Sequence, residues 1–304
     1  MGRVGVDLYP EQFGVSLVEV KTFAKYLGGT ATNVAVAATR YGHNAAVITK
    51  VGDDGFGRYV RAALNGFGVD DLYVGTDPDL RTPIVFCEIY PPDRFPLLFY
   101  REPKAPDMNL RAEDLDFDAI KAARIFWTTG TGLSDEPSRT ATIGALDVRD
   151  RSGITIHDLD YRPMFWKHPD EASEWQRRAL ERVTIAIGNL EECAVAVGAG
   201  SPSEMAKRIL DLGVEVAVVK MGPAGVTAFT RGGEVSAAPV AIEVVNGLGA
   251  GDAFGGAVCH GLLEGWRWEE TVPFANAAGA YVAGQLACAD AMPTEEQVRR
   301  LMGG

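Results

Sequence analysis

Short apolar runs alternate along the chain with longer stretches whose apolar positions recur at helical spacing. The runs at 4–8, 45–51, 124–128, 153–158, 184–187 and 214–220 predict strands. Between them, the alanine-rich stretch 33–41, closed by Gly42, and the stretches 137–150 and 202–212 predict helices. Alternation of this kind implies an α/β fold, with a mostly parallel sheet and helices on both of its faces. Two segments, 11–27 and 83–101, break the rhythm, being β-rich, bounded by Gly and Pro, and without a helix of their own. They read either as a small antiparallel sheet set into the main domain, able to act as a lid, or as a pair of surface hairpins. No internal repeat or long linker divides the sequence, so residues 1–304 read as one domain. The first strand opens almost at Met1, which leaves a start further upstream open.

Composition narrows the classes. With 47% hydrophobic and 23% charged residues, the chain can bury a sizeable core. Its formal net charge of −12 argues against a nucleic-acid partner, which needs clustered positive charge. An acidic protein can still hold an anion, but only locally, through chosen arginines and helix N-termini. Cys87, Cys193, Cys259 and Cys288 lie far apart with no C-x-x-C pair, so buried thiols in a reducing compartment are expected. No signal peptide opens the sequence, and no apolar run approaches the roughly 20 residues of a membrane span. A soluble, cytoplasmic protein is expected.

The strongest chemical signal is Asn246-Gly247-Leu248-Gly249-Ala250-Gly251-Asp252, set between an apolar segment, 240–245, and a helical pattern, 253–263. Small residues at a helix N-terminus leave backbone N–H groups open to phosphate oxygens, where any Cβ would hold the backbone away. Asp252 would repel a nucleotide there unless it faces a substrate hydroxyl and accepts its proton. The plainer reading is an Asp that caps a helix, with glycines for packing. A dinucleotide fingerprint fails because Phe254 stands three residues after Gly251, and no G-x-x-x-x-G-K-[ST] occurs. A second signal is Gly28-Gly29-Thr30-Ala31-Thr32-Asn33. Its diglycine lets backbone approach a ligand, and Asn33 offers a donor and an acceptor to a sugar hydroxyl. On its own it reads more simply as a capped packing helix.

Taken together, the two stretches resemble the signatures of the ribokinase/PfkB family of carbohydrate kinases, in order and spacing, across essentially the whole chain. The resemblance implies a ribokinase-like three-layer α/β sandwich with a small β-sheet lid, and ATP with Mg²⁺ as phosphoryl donor. It implies Asp252 as the base beside Gly249, Ala250 and Gly251, with Asp7, Gly28, Gly29 and Asn33 on the sugar. Asn189 and Glu192 match the family's N-x-x-E motif, which organises Mg²⁺ and its waters; the alternative is a helix cap with an exposed Glu. Lys220, Gly222 and Gly225 resemble the nucleotide-side turn, and Asn276 lies in the helix that flanks the adenine. Many members carry Asp and Thr where this chain has Asn246 and Gly247, which speaks against a monovalent-cation requirement. Relatives often pair through their lids, so a homodimer is the family expectation.

Two arginines bear on the substrate. Arg101 closes the second lid segment and Arg162 follows a predicted core strand, where open α/β sheets bind ligands. A planar guanidinium suits a carboxylate; the alternative is ordinary surface ion pairing. Together they resemble the sugar-acid branch of the family. Asp158-Leu159-Asp160-Tyr161-Arg162-Pro163 and Ala291-Met292-Pro293-Thr294 look most like the members of inositol catabolism. Kinases of 2-keto-3-deoxygluconate share the arginines but typically have Asn at the position of Asp160. Fructokinase- and ribokinase-type enzymes, and a sugar- or nucleotide-binding regulator without catalysis, are the remaining alternatives.

Overall fold

The structure, a computed structural model, describes residues 1–303. Its contacts group the chain into two compact units, one of Arg3–Asp107, Val240–Gly261 and Phe274–Gly304, the other of Met1–Gly2, Met108–Pro239 and Leu262–Pro273. They are called here the small-sheet and large-sheet units.

The small-sheet unit begins with β1 (Gly5–Pro10), β2 (Phe23–Gly28), α1 (Thr30–Arg40), β3 (Thr49–Gly52), α2 (Gly55–Gly66), β4 (Val74–Asp77), β5 (Ile84–Cys87) and β6 (Leu97–Tyr100). Four of these strands form one sheet in the order β2-β1-β5-β6, while β3 and β4 make a separate parallel pair. The strand expected at 4–8 therefore does not join the large parallel sheet. Its successor is a hairpin partner rather than a helix, and β1 pairs antiparallel with β2 and parallel with β5. Both β-rich segments supply strands to this sheet, which is mixed rather than wholly antiparallel.

The large-sheet unit carries α3 (Phe117–Ala122), β7 (Ile125–Thr129), α4 (Ser138–Arg149), β8 (Ile154–Asp158), α5 (Pro169–Leu180), β9 (Ile185–Asn189), α6 (Leu190–Val197), α7 (Pro202–Asp211), β10 (Val216–Lys220), β11 (Val226–Thr230) and β12 (Gly233–Ala237). The sheet order is β12-β11-β10-β9-β8-β7. From β7 to β10 each strand runs parallel to the next; one helix connects β7 to β8 and β8 to β9, and two connect β9 to β10. These strands are buried almost throughout, as strands covered on both faces must be, and read as continuous apolar runs. Pairing Thr129 with Asp158, and Asn189 with Lys220, aligns the carboxyl ends of the strands.

Three helices complete the chain, α8 (Ala250–Glu264), α9 (Trp268–Ala283) and α10 (Glu295–Gly303). Within the small-sheet unit α8 lies against α1. A Cβ on Gly256 would fall 2.2 Å from that of Ala37, so glycine there serves close helix packing. One turn earlier Asn33 meets Asp252, and beyond the end of α1 a ring nitrogen of His43 lies 2.8 Å from one of His260. All four cysteines are buried free thiols, as composition led us to expect. No described helix is long and apolar enough to cross a membrane.

Candidate active site

In the small-sheet unit, β1 and β2 bring Asp7 over the diglycine. An ideal Cβ on Gly28 would lie 2.1 Å from the Asp7 Oδ1, and one on Gly29 2.3 Å from the Arg3 carbonyl, at a φ of 107°. The diglycine thus makes room for the protein's own acid and for the crossing of β1, a requirement that only the strand pairing reveals. Asp7 is half-buried, and desolvation pushes its carboxyl up to about 6, against the opposing pull of the Arg3 charge and of a hydrogen bond from Tyr9. The Tyr9 hydroxyl donates to Asp7 Oδ2 at 3.2 Å and also lies 2.7 Å from the Cys288 Sγ.

Asn33, on the first turns of α1, is 2% exposed. Its amide donates to Asp252 Oδ2 at 2.6 Å, while its own Oδ1 is buried without a partner. Asp252 stands half-buried in the first turn of α8. Gly249 precedes that turn at a φ of 81°, where a Cβ would strike Cys288 at 2.7 Å. Gly249, Ala250 and Gly251 therefore turn small, partly exposed backbone toward the helix N-terminus, where the first amides have no partner within the helix. That arrangement fits a phosphate. Through this hydrogen bond the two motifs meet, although Asn33 and Asp252 are 219 residues apart in sequence. Asn246 is engaged through both amide atoms, its Nδ2 donating to Leu286 O at 2.6 Å and its Oδ1 accepting from Leu248 N at 3.0 Å. Asn276 lies half-buried on α9.

Arg101 follows β6 and reaches Asp107 with both terminal nitrogens, one of them 3.1 Å from Oδ2. Asp107 also accepts the Val4 N–H at 3.0 Å. Both side chains of the pair are nearly inaccessible, so this fork grips a carboxylate of its own chain.

In the large-sheet unit, Asp160, Arg162, Asn189, Glu192 and Lys220 gather at the carboxyl ends of β8, β9 and β10. Asp160 is buried at a φ of 30°, a left-handed conformation rare outside Gly, Asn and Asp. Its Oδ2 accepts from the Thr131 hydroxyl at 2.7 Å, and its Oδ1 lies 3.0 Å from Arg162. Arg162, a third exposed, also stands 3.5 Å from Glu192. Asn189 and Glu192 cap α6 reciprocally, each accepting the other's backbone N–H. The helix-cap alternative is thus half right, since the cap exists but Glu192 is buried. With its oxygens on Asn189 and Arg162, Glu192 fits a role on a cation's water shell better than direct ligation. Gly222 and Gly225 both hold positive φ in the turn after β10, and a Cβ on Gly225 would strike the Ala237 carbonyl.

Sequence reasoning missed four contributors. Tyr9 could have been found, since residues two apart on a strand share a face with Asp7. Cys288, Asp107 and Gln176 carry no local signal. Gln176 links the buried His157, which burial pushes down to about 4 and so keeps neutral, to the Leu159 carbonyl beside Asp160.

The pattern of the pfkB family carbohydrate kinases matches residues 2–295. The chain is 33% identical over 309 aligned residues to the 5-dehydro-2-deoxygluconokinase of Clostridium perfringens, covering 99% of this chain and 91% of that relative. Among solved structures it resembles a fructokinase double mutant from Vibrio cholerae, bound to fructose, ADP and potassium ion, with a TM-score of 0.88 and 26% identity over 99% and 96% of the two chains. A PfkB protein from Polaromonas superposes with a TM-score of 0.86 at 24% identity, over 98% and 97%. The fold is ribokinase-like.

Proposed function

The chain belongs to the pfkB family of carbohydrate kinases, and on that premise we propose that it phosphorylates the terminal hydroxyl of 5-dehydro-2-deoxy-D-gluconate in the cytoplasm, as a single kinase domain. The observation that carries the reading is the 2.6 Å hydrogen bond from Asn33 to Asp252, which joins the sugar motif to the anion-holding turn. The name shared by the curated relatives supplies the substrate.

ATP with Mg²⁺ supplies the phosphoryl group. The backbone at Gly249–Gly251 holds phosphate oxygens through amides at the α8 N-terminus, aided by its dipole. Asp252 accepts the proton of the substrate hydroxyl as its oxygen bonds to phosphorus and ADP departs. Asn33 fixes the orientation of that carboxylate, and the buried Asn33 Oδ1 is left to accept from a sugar hydroxyl. Asp7 accepts from a second hydroxyl. Arg162 is assigned the substrate carboxylate, because it is partly exposed and its ion-pair partners are shared. Arg101 can take that role only by exchanging Asp107 for the substrate. Asn189 and Glu192 are assigned to the waters of Mg²⁺, and Lys220, Gly222, Gly225 and Asn276 to the nucleotide. Leu98 and Tyr100, exposed on the edge strand β6, are read as the face through which two copies pair.

The test is a screen of purified protein with ATP and Mg²⁺ against sugar acids and neutral sugars, read as coupled ADP release. 5-dehydro-2-deoxy-D-gluconate should give the highest kcat/KM. A preference for ribose or fructose would overturn the substrate, and release with no sugar in the panel would overturn the kinase reading of the site.

A further inference from the structure

We propose that Tyr9 is a positioning residue that aims the Asp7 carboxylate at the sugar, with Cys288 tying that phenol to the Gly249 turn. The proposal rests on the reading of Asp7 as a ligand of a sugar hydroxyl.

A phenol with no exposed surface must find its partners inside the protein, and Tyr9 finds two. Its hydroxyl has one proton. Cys288 is buried and its thiol is pushed far up by desolvation and by the nearby Asp7 charge, so it stays a neutral S–H. The neutral thiol is left as donor to the phenol oxygen, and the phenol proton goes to Asp7 Oδ2, the better acceptor. The result is a directed chain, Cys288 to Tyr9 to Asp7, with one arrangement of hydrogens.

Geometry restrains the acid on its remaining sides. Its carboxylate lies against the Gly28 Cα, where any side chain would evict it. Arg3 supplies a nearby positive charge, and its Nη2 is held by the Thr30 hydroxyl at 2.9 Å. Two further titratable groups feel the Asp7 charge, Cys87 on β5 and Tyr59 on α2. Neither is bonded to Asp7, and both are pushed upward and so stay neutral. Tyr9 is therefore the neutral donor that selects which carboxylate oxygen is taken and which is left. Cys288 also fills the space over Gly249, so the same thiol that seats the phenol bounds the phosphate turn. A substrate acid and an anion turn that are far apart in sequence thereby share one buried support.

The test is Tyr9→Phe, which keeps the ring in its cluster with Tyr26 and removes only the hydroxyl. The KM for the sugar should rise about tenfold, as expected for a hydrogen bond to a charged group, with the KM for ATP unchanged. The acid limb of kcat/KM for the sugar should move to higher pH, because the donor that favours ionised Asp7 is gone. In the Asp7→Asn background, Tyr9→Phe should add nothing further. An unmoved sugar KM and acid limb would overturn the proposal. So would additive effects in the double variant, or a collapse of the melting temperature, which would make the hydroxyl a support of the fold alone. If Asp7→Asn itself leaves the sugar KM unchanged, the assignment of Asp7 fails and this proposal falls with it. If Asp7→Asn raises that KM while Tyr9→Phe does not, only the role of Tyr9 fails.

Discussion

Asp252 and Asp107, both in the small-sheet unit, are held in opposite ways. The amide of Asn33 donates to Asp252, whereas the guanidinium of Arg101 clamps Asp107 with two nitrogens. An amide orients a carboxylate without adding positive charge. A guanidinium that takes both carboxylate oxygens makes the acid its counter-ion and fixes it in the fold. The large-sheet unit repeats the second arrangement in looser form, with Arg162 between Asp160 and Glu192. Partners of different chemistry thus distinguish Asp252 from Asp107, two acids that look identical in sequence.

The sharpest way to break this comparison is to remove the proposed base. Asp252→Asn retains a side chain able to bond Asn33, so the protein should fold, while kcat falls on the order of 10²–10⁴-fold. Turnover near wild type in the folded variant would place the base elsewhere.

Removing a clamp should act on stability instead. Arg101→Ala leaves Asp107 buried with a charge and no guanidinium, a loss of about 3–5 kcal/mol in urea unfolding. Arg162→Ala removes a side chain that is a third exposed, so it should cost less stability and raise the KM for the sugar acid about 10–100-fold. Equal losses of stability in the two variants would erase the distinction drawn between a structural and a substrate-facing arginine.

How far these roles could be read beforehand depends on how local their causes are. The turn at 246–252 and the pair Asn189 and Glu192 announce helix N-termini, because capping acts over three or four residues, and both helices start there. The strands β7 to β10 were legible as apolar runs for the same reason. Gly28 was assigned to a ligand, yet the space it leaves is filled by Asp7, which depends on the β1–β2 register rather than on neighbours in the chain. Arg101 and Arg162 looked alike as basic residues after strands. Only tertiary structure shows that one meets a buried acid six residues on while the other stays partly open. The placement of β1 in the smaller sheet was hidden too, since an apolar run does not say which sheet completes it.

Asp7 offers the smallest test and the most specific one, because function and stability pull it in opposite directions. Its carboxyl is raised to about 6 by desolvation, whereas an unfolded Asp titrates near 4. The folded state therefore binds the proton more tightly. The stabilisation this brings is complete below about 4 and is lost as pH rises through about 6. Above that pH the native protein carries an ionised acid that is partly stripped of water, with the Arg3 charge and the Tyr9 hydroxyl as compensation. Asp7→Asn removes the charge, so the variant should melt about 2 °C above wild type at pH 8, and the gap should close as pH falls from 6 toward 4. Over the same range wild-type kcat/KM for the sugar should fall, since a protonated Asp7 no longer accepts from its hydroxyl as strongly. A melting gap that stays constant with pH would mean that Asp7 is hydrated like an ordinary surface acid, and that the diglycine beneath it does not hold it out of water.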